Sequence, residues 1–156
     1  MLSDKARSQV RSLMEKYPAP RSAIMPALHL AQRECGWLPD EAVQDLSELM
    51  GLSTTEINSV ATFYTMYARD KRGEHTIYFC TDLPCALRGA DELMEHIEHK
   101  LGCKAGETTA NGKVTLKDAE CLGGCDHAPV MLIDGEEHAQ DLTPENVDQI
   151  LDRLTK

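Results

Sequence analysis

Apolar residues in the first half of the chain recur every three or four positions, the period of one helix face. Ser3 is placed to cap a helix presenting Ala6, Val10, Leu13, Met14 and Tyr17, and Pro18 and Pro20 end it. A second helix follows Ser22, carries Pro26 in its first turn and Ala27, Leu28, Leu30 and Ala31 on its inner face, and stops at Gly36. Pro39-Asp40-Glu41 opens a third, with Ala42, Val43, Leu46 and Leu49 inside and Gly51 at its end. Ser53-Thr54-Thr55-Glu56 is a capping box leading into Ile57, Val60, Ala61 and Tyr64. The pattern predicts a four-helix bundle over residues 1–72.

Near Lys71-Arg72-Gly73 the period changes. His75 to Cys80 is rich in β-formers and reads as a buried strand; Ala90, Leu93, Met94, Ile97 and Leu101 form the stripe of a long helix. Asn111-Gly112 is a two-residue hairpin signal with Val114 and Leu116 alternating after it. Val130 to Ile133 is another strand, turned at Asp134-Gly135 into a short partner, and Thr143-Pro144 starts a last helix with Val147, Ile150, Leu151 and Leu154 inside. The order β-α-β-β-β-α over 73–156 predicts a small sheet with helices packed on it, so the fold class is α+β or α/β.

Charge changes this picture in one respect. The net charge of -10 argues against a nucleic-acid partner, which needs a basic face. Residues 1–72 carry nine Lys/Arg and nine Asp/Glu, whereas 73–156 carry seven and seventeen, so the whole excess lies in the second half. Such a surface either steers docking onto a basic partner or simply aids solubility. No apolar run approaches the roughly 20 residues of a membrane span, and the first residues lack the apolar core of an export signal. The expectation is a cytoplasmic protein without direct membrane insertion.

Six cysteines without an export signal suggest metal ligands or catalytic thiols ahead of disulfides. Four come in two pairs, Cys80-x4-Cys85 leaving the first strand and Cys121-x3-Cys125 leading toward the strand at Val130. A [2Fe–2S] cluster needs four thiolates, two per iron, from two chain segments. Gly123 and Gly124 leave backbone N–H groups free to approach cluster sulfurs. A four-cysteine zinc site uses the same ligands, though with tighter pairs as a rule, and makes this a zinc-stabilised interaction module instead. A dithiol redox site more typically shows Cys-x-x-Cys, which is absent. Cys35 and Cys103 read as small packed hydrophobes. His127 suits a supporting or surface role, and Asp82 either opposes reduction of a nearby cluster or caps its loop. There is no dinucleotide fingerprint, no Walker sequence and no Ser/His/Asp set, so no catalytic residue is assigned.

At these residues the chain resembles the thioredoxin-like [2Fe–2S] ferredoxins: Cys-x4-Cys, about 35 residues, then Cys-x3-Cys followed by Ala128-Pro129-Val130. Leu28-His29-Leu30-Ala31-Gln32, Gly36-Trp37-Leu38-Pro39 and Val60-Ala61-Thr62-Phe63-Tyr64 further resemble the NuoE-type small iron–sulfur subunit of the NADH-dehydrogenase module of respiratory complex I. The resemblance implies a thioredoxin-like domain for 73–156 after a partner-docking helical bundle, and one [2Fe–2S] cluster on Cys80, Cys85, Cys121 and Cys125. It implies a flavin-bearing, NADH-oxidising partner subunit that carries FMN and binds NADH, in an NADH:quinone oxidoreductase peripheral on the cytoplasmic side of the membrane. Soluble NAD-dependent hydrogenases and formate dehydrogenases use an equivalent subunit with the same cysteine pattern.

Overall fold

Ser3 accepts a hydrogen bond from the Ala6 N–H and so starts α1, Asp4–Met14, in the computed structural model, which describes residues 1–156. The helix ends earlier than its apolar pattern suggests, and Tyr17 is left exposed beyond it. A 3-10 turn at Pro20–Ala23 feeds α2, Ile24–Cys35, which Gly36 closes with φ 78°. That left-handed conformation is why the helix stops at a glycine. Pro39 is the residue before α3, Asp40–Met50, where its extended ψ turns the chain into the helix. The box Ser53/Glu56 is formed at the start of α4, Thr54–Phe63, each side chain accepting the other's backbone N–H.

Val10, Leu28, Leu38, Leu46 and Ile57 are wholly buried in the core of these helices. Burial of each such side chain contributes about 1.5–3 kcal/mol. The segment after α4 is tied back by polar contacts that the apolar pattern does not reveal. Gln32 accepts from the Ala68 N–H (2.6 Å) and donates to the Met66 carbonyl (3.1 Å), while the Leu38 N–H donates to the Ala68 carbonyl (2.7 Å).

Asp45 is a buried carboxylate on α3 that accepts from the Met1 ammonium (2.5 Å), the Leu2 N–H (2.6 Å) and the Arg7 guanidinium. Burial alone raises its pKa; the hydrogen bonds from the terminal ammonium and Leu2, with the Arg7 charge, outweigh that and hold it below the usual carboxylate range. A depressed folded-state pKa contributes stability above the unfolded value, and that contribution is lost as pH falls through the folded one. Asp45→Asn is expected to cost roughly 1.5–3 kcal/mol, because charge-assisted hydrogen bonds are lost and cations are left facing a neutral amide. The penalty measured by denaturant titration at pH 7 should shrink as pH falls below about 4; an equal penalty at both ends would show that charge pairing is not the cause.

Residues Arg72–Lys156 form the second compact unit, following Met1–Lys71. Its elements are β1 (His75–Cys80), α5 (Leu83–Ala86), α6 (Ala90–Leu101), β2 (Val114–Ala119), β3 (Met131–Ile133), β4 (Glu137–Ala139) and α7 (Pro144–Leu154). The sheet order is β2-β1-β3-β4, with β1 and β2 parallel and the other neighbours antiparallel. A parallel pair needs a crossover, and α6 lies in the connection. Ile77, Phe79, Leu116 and Met131 from the sheet share one core with Ile97 of α6 and Leu151 of α7.

The hairpin signal at Asn111-Gly112 marks a looser turn than expected. The Thr109 N–H donates to the Val114 carbonyl, and the Val114 N–H to the Thr109 hydroxyl, across four intervening residues. Asn111 ties the loop by accepting from the Thr109 hydroxyl and the Lys113 N–H. Gly73 enters against this edge so closely that a Cβ there would lie 2.9 Å from Lys113 C and Val114 N. No helix is long and apolar enough to cross a membrane.

Candidate metal centre

Strand direction gathers the cysteines. Cys80 ends β1 and stands in parallel register with Ala119, the last residue of β2, so both strands release their chains at one edge of the sheet. Cys121 follows two residues after Ala119. Because β3 runs antiparallel to β1, it is entered from that same edge, and the Val130 carbonyl accepts from the Cys80 N–H at 3.1 Å. The segment holding Cys125 is therefore brought to the place where β1 and β2 end.

The residues after Cys80 are not the loop that the sequence suggests. Asp82 caps a one-turn helix, α5, by accepting from the Leu83 N–H at 2.8 Å, and Cys85 lies on that turn. Asp82 thus has the capping role, although its charge also reaches Cys125. Cys80 donates to the Glu120 carbonyl at 3.6 Å, a sulfur contact between the first cysteine segment and the second.

The four thiols act on one another as two pairs, Cys80 with Cys85 and Cys121 with Cys125. Cys125 also acts electrostatically on Cys85, and Cys80 on Cys125, which links the pairs. Cys80 and Cys85 are buried; Cys121 and Cys125 are exposed. Burial, then the hydrogen bond with Cys80, pushes the Cys85 pKa up to about 11, partly opposed by the Val130 N–H that donates to its sulfur. Local desolvation and the neighbouring Cys121 also raise Cys125. Cys85 and Cys125 are thus held toward the protonated thiol, and a metal that binds them must displace those protons.

No group of three or more cysteine, histidine or acidic side chains is gathered closely enough to hold a metal ion as the chain stands. Two thiol pairs side by side suit a centre with two irons, each taking two thiolates. The loop between Cys121 and Cys125 fits the same group. Gly123 holds φ 76° with open space where a Cβ would stand, and a Cβ on Gly124 would meet Val130 Cγ1 at 3.0 Å. No backbone acceptor takes the N–H groups of Leu122, Gly123 or Gly124, which leaves them available to cluster sulfur.

The remaining candidates lie apart from this chemistry. His127 Nδ1 faces Asp141 Oδ2 at 2.9 Å, and that hydrogen bond raises its pKa. Cys35 ends α2, half-buried against the helical core, and Cys103 is buried in the core of the sheet unit. Burial raises both thiols, and neither has another cysteine acting on it. His75 and His96 pair with Asp134 and Asp148, each at 2.8 Å. Sequence reasoning missed the contributions of the Glu120 carbonyl and the Val130 N–H. Both are backbone groups, for which side-chain identity gives no signal.

Known proteins resemble this chain over most of its length. The profile of the thioredoxin-like [2Fe–2S] ferredoxins matches residues 10–155. The E subunit of NADH-quinone oxidoreductase from Rickettsia conorii is 43% identical over 145 residues, covering 91% of this chain and 86% of the relative. The protein of the same name from Escherichia coli strain K12 is 37% identical over 152 residues, covering 97% and 91%. Among solved structures, an NAD+-reducing [NiFe]-hydrogenase in the air-oxidised state superposes with a TM-score of 0.75 at 24% identity. The match covers 85% of this chain and 22% of that one, a likeness of fold that extends beyond either unit alone.

Proposed function

We propose, from the premise that this chain belongs to the thioredoxin-like [2Fe–2S] ferredoxin family, that it is the electron-transfer subunit of an NADH:quinone oxidoreductase and holds one [2Fe–2S] cluster on Cys80, Cys85, Cys121 and Cys125. The observation that carries the reading is the meeting of two thiol pairs at one sheet edge, one buried and one exposed. When bound, the cluster supplies a one-electron store. This chain's residues do the rest: the buried pair anchors it, the exposed pair leaves one side open to a donor, and the glycine loop offers N–H groups to the charge added on reduction.

The partner in this reading is the flavin-bearing, NADH-oxidising subunit, with residues 1–72 as a four-helix docking bundle and 73–156 as the cluster domain. Through that complex the chain sits at the cytoplasmic side of the membrane. Relatives at 36–43% identity are named for the quinone reductase, against 24% for the hydrogenase, which favours the respiratory assembly over the soluble one. The test is elemental and optical. The purified chain should carry two irons and two inorganic sulfides and absorb in the visible; a colourless protein with one zinc would refute the cluster.

A further inference from the structure

Leu83 and Leu87 are 67% and 77% exposed, although each is a large apolar side chain close to a buried cysteine. They stand four residues apart, the Leu87 N–H donating to the Leu83 carbonyl at 3.1 Å, so one turn of α5 presents both on one side. Neither belongs to the core that takes up Cys80 and Cys85. The neighbouring chain is acidic: Asp82 caps the turn, and Glu120 and Asp126 flank the exposed cysteines. The basic groups there are few. Arg88 is engaged with the Ala128 carbonyl at 3.4 Å, and His127 with Asp141. An exposed apolar pair with acidic residues on the neighbouring segments is the pattern of an interface whose centre is dry and whose edge steers.

The geometry points to Leu83 and Leu87 as the apolar anchor by which this chain docks its cluster edge onto a partner protein presenting an apolar pocket rimmed by lysine and arginine. The inference rests on the reading above and names that partner as the flavin-bearing donor. Charge selects this occupant: the sheet half of the chain carries the whole net negative charge, so a second copy would set like charges against each other across the same rim. Asp82, next to Leu83, is close enough for its charge to reach Cys125, so a donor seated on the two leucines would stand at the edge where the four cysteines would hold a cluster able to take up single electrons.

The experiment uses the cluster-loaded subunit and the flavin-bearing subunit purified from the same complex. The doubly substituted Leu83→Ser, Leu87→Ser chain should bind the flavoprotein about tenfold or more weakly. NADH-driven bleaching at a fixed, sub-saturating concentration of partner should slow in proportion, while the dithionite-reduced spectrum stays that of the parent. Glu120→Lys should weaken binding and flatten its salt dependence, whereas Glu136→Lys in the β3–β4 turn should not. Unchanged affinity for the leucine variant, or an equal effect of Glu136→Lys, overturns the anchor. A sedimenting dimer of the parent that the leucine variant abolishes overturns it in favour of a second copy. If the parent itself fails to bind the flavoprotein, the partner reading falls, and the anchor with it.

Discussion

Serine at Cys80, Cys85, Cys121 or Cys125 is expected to abolish or grossly alter the reduced-state EPR signal of the cluster, and serine at Cys35 or Cys103 is expected to leave it intact. A serine oxygen is a harder and more basic ligand than thiolate, and its hydroxyl gives up its proton far less readily. Losing a direct ligand should exceed the roughly 10–100-fold that outer-shell changes cost in metal affinity. The two pairs should also differ in kind. Cys80 and Cys85 are buried, so their serine variants place a hydroxyl where a sulfur had filled the core, and folding stability should fall along with iron content. Cys121 and Cys125 are exposed, so their variants should lose iron with little loss of fold. Iron analysis and thermal denaturation of the same samples separate the effects. A Cys103→Ser chain without the signal beside a Cys125→Ser chain that keeps it would mean that the wrong thiols have been assigned.

NADH alone is expected to leave the cluster of the isolated subunit oxidised, while dithionite bleaches it. The chain has no glycine-rich dinucleotide turn, and the charge of -10 repels an anionic nucleotide. The stoichiometry is also against direct reduction. NADH gives up a hydride, two electrons at once, whereas a [2Fe–2S] cluster takes one, and a flavin is the cofactor that divides the pair. Adding the flavin-bearing subunit should therefore restore a response to NADH. Visible absorbance followed after mixing subunit and NADH decides the matter. Rapid bleaching in the absence of any flavin would reveal a nucleotide site on this chain.

The sequence by itself located the six longer helices, because their periodicity, caps and stop residues are local. Ser53 and Glu56 form their box, and Gly36 and Gly51 end their helices, without help from distant residues. It also singled out the four cysteines, because close pairs of thiols flanking strands are a local signal as well. What it could not supply is where those pairs meet. That depends on β1 and β2 being parallel and on β3 being antiparallel to β1, a choice of pairing partners made by contacts far apart in the chain. The same limit hid the inward turn of Cys85 on α5, the backbone donors and acceptors at the thiols, and the carboxylate of Asp45 bound to groups at the other end of its unit. Periodicity records which side of an element is apolar, and composition records which ligands are available. Only the folded chain decides which of those surfaces is covered: Ile77 and Phe79 vanish into the sheet core, while Leu83 and Leu87, just as apolar and only a few residues on, are left facing solvent.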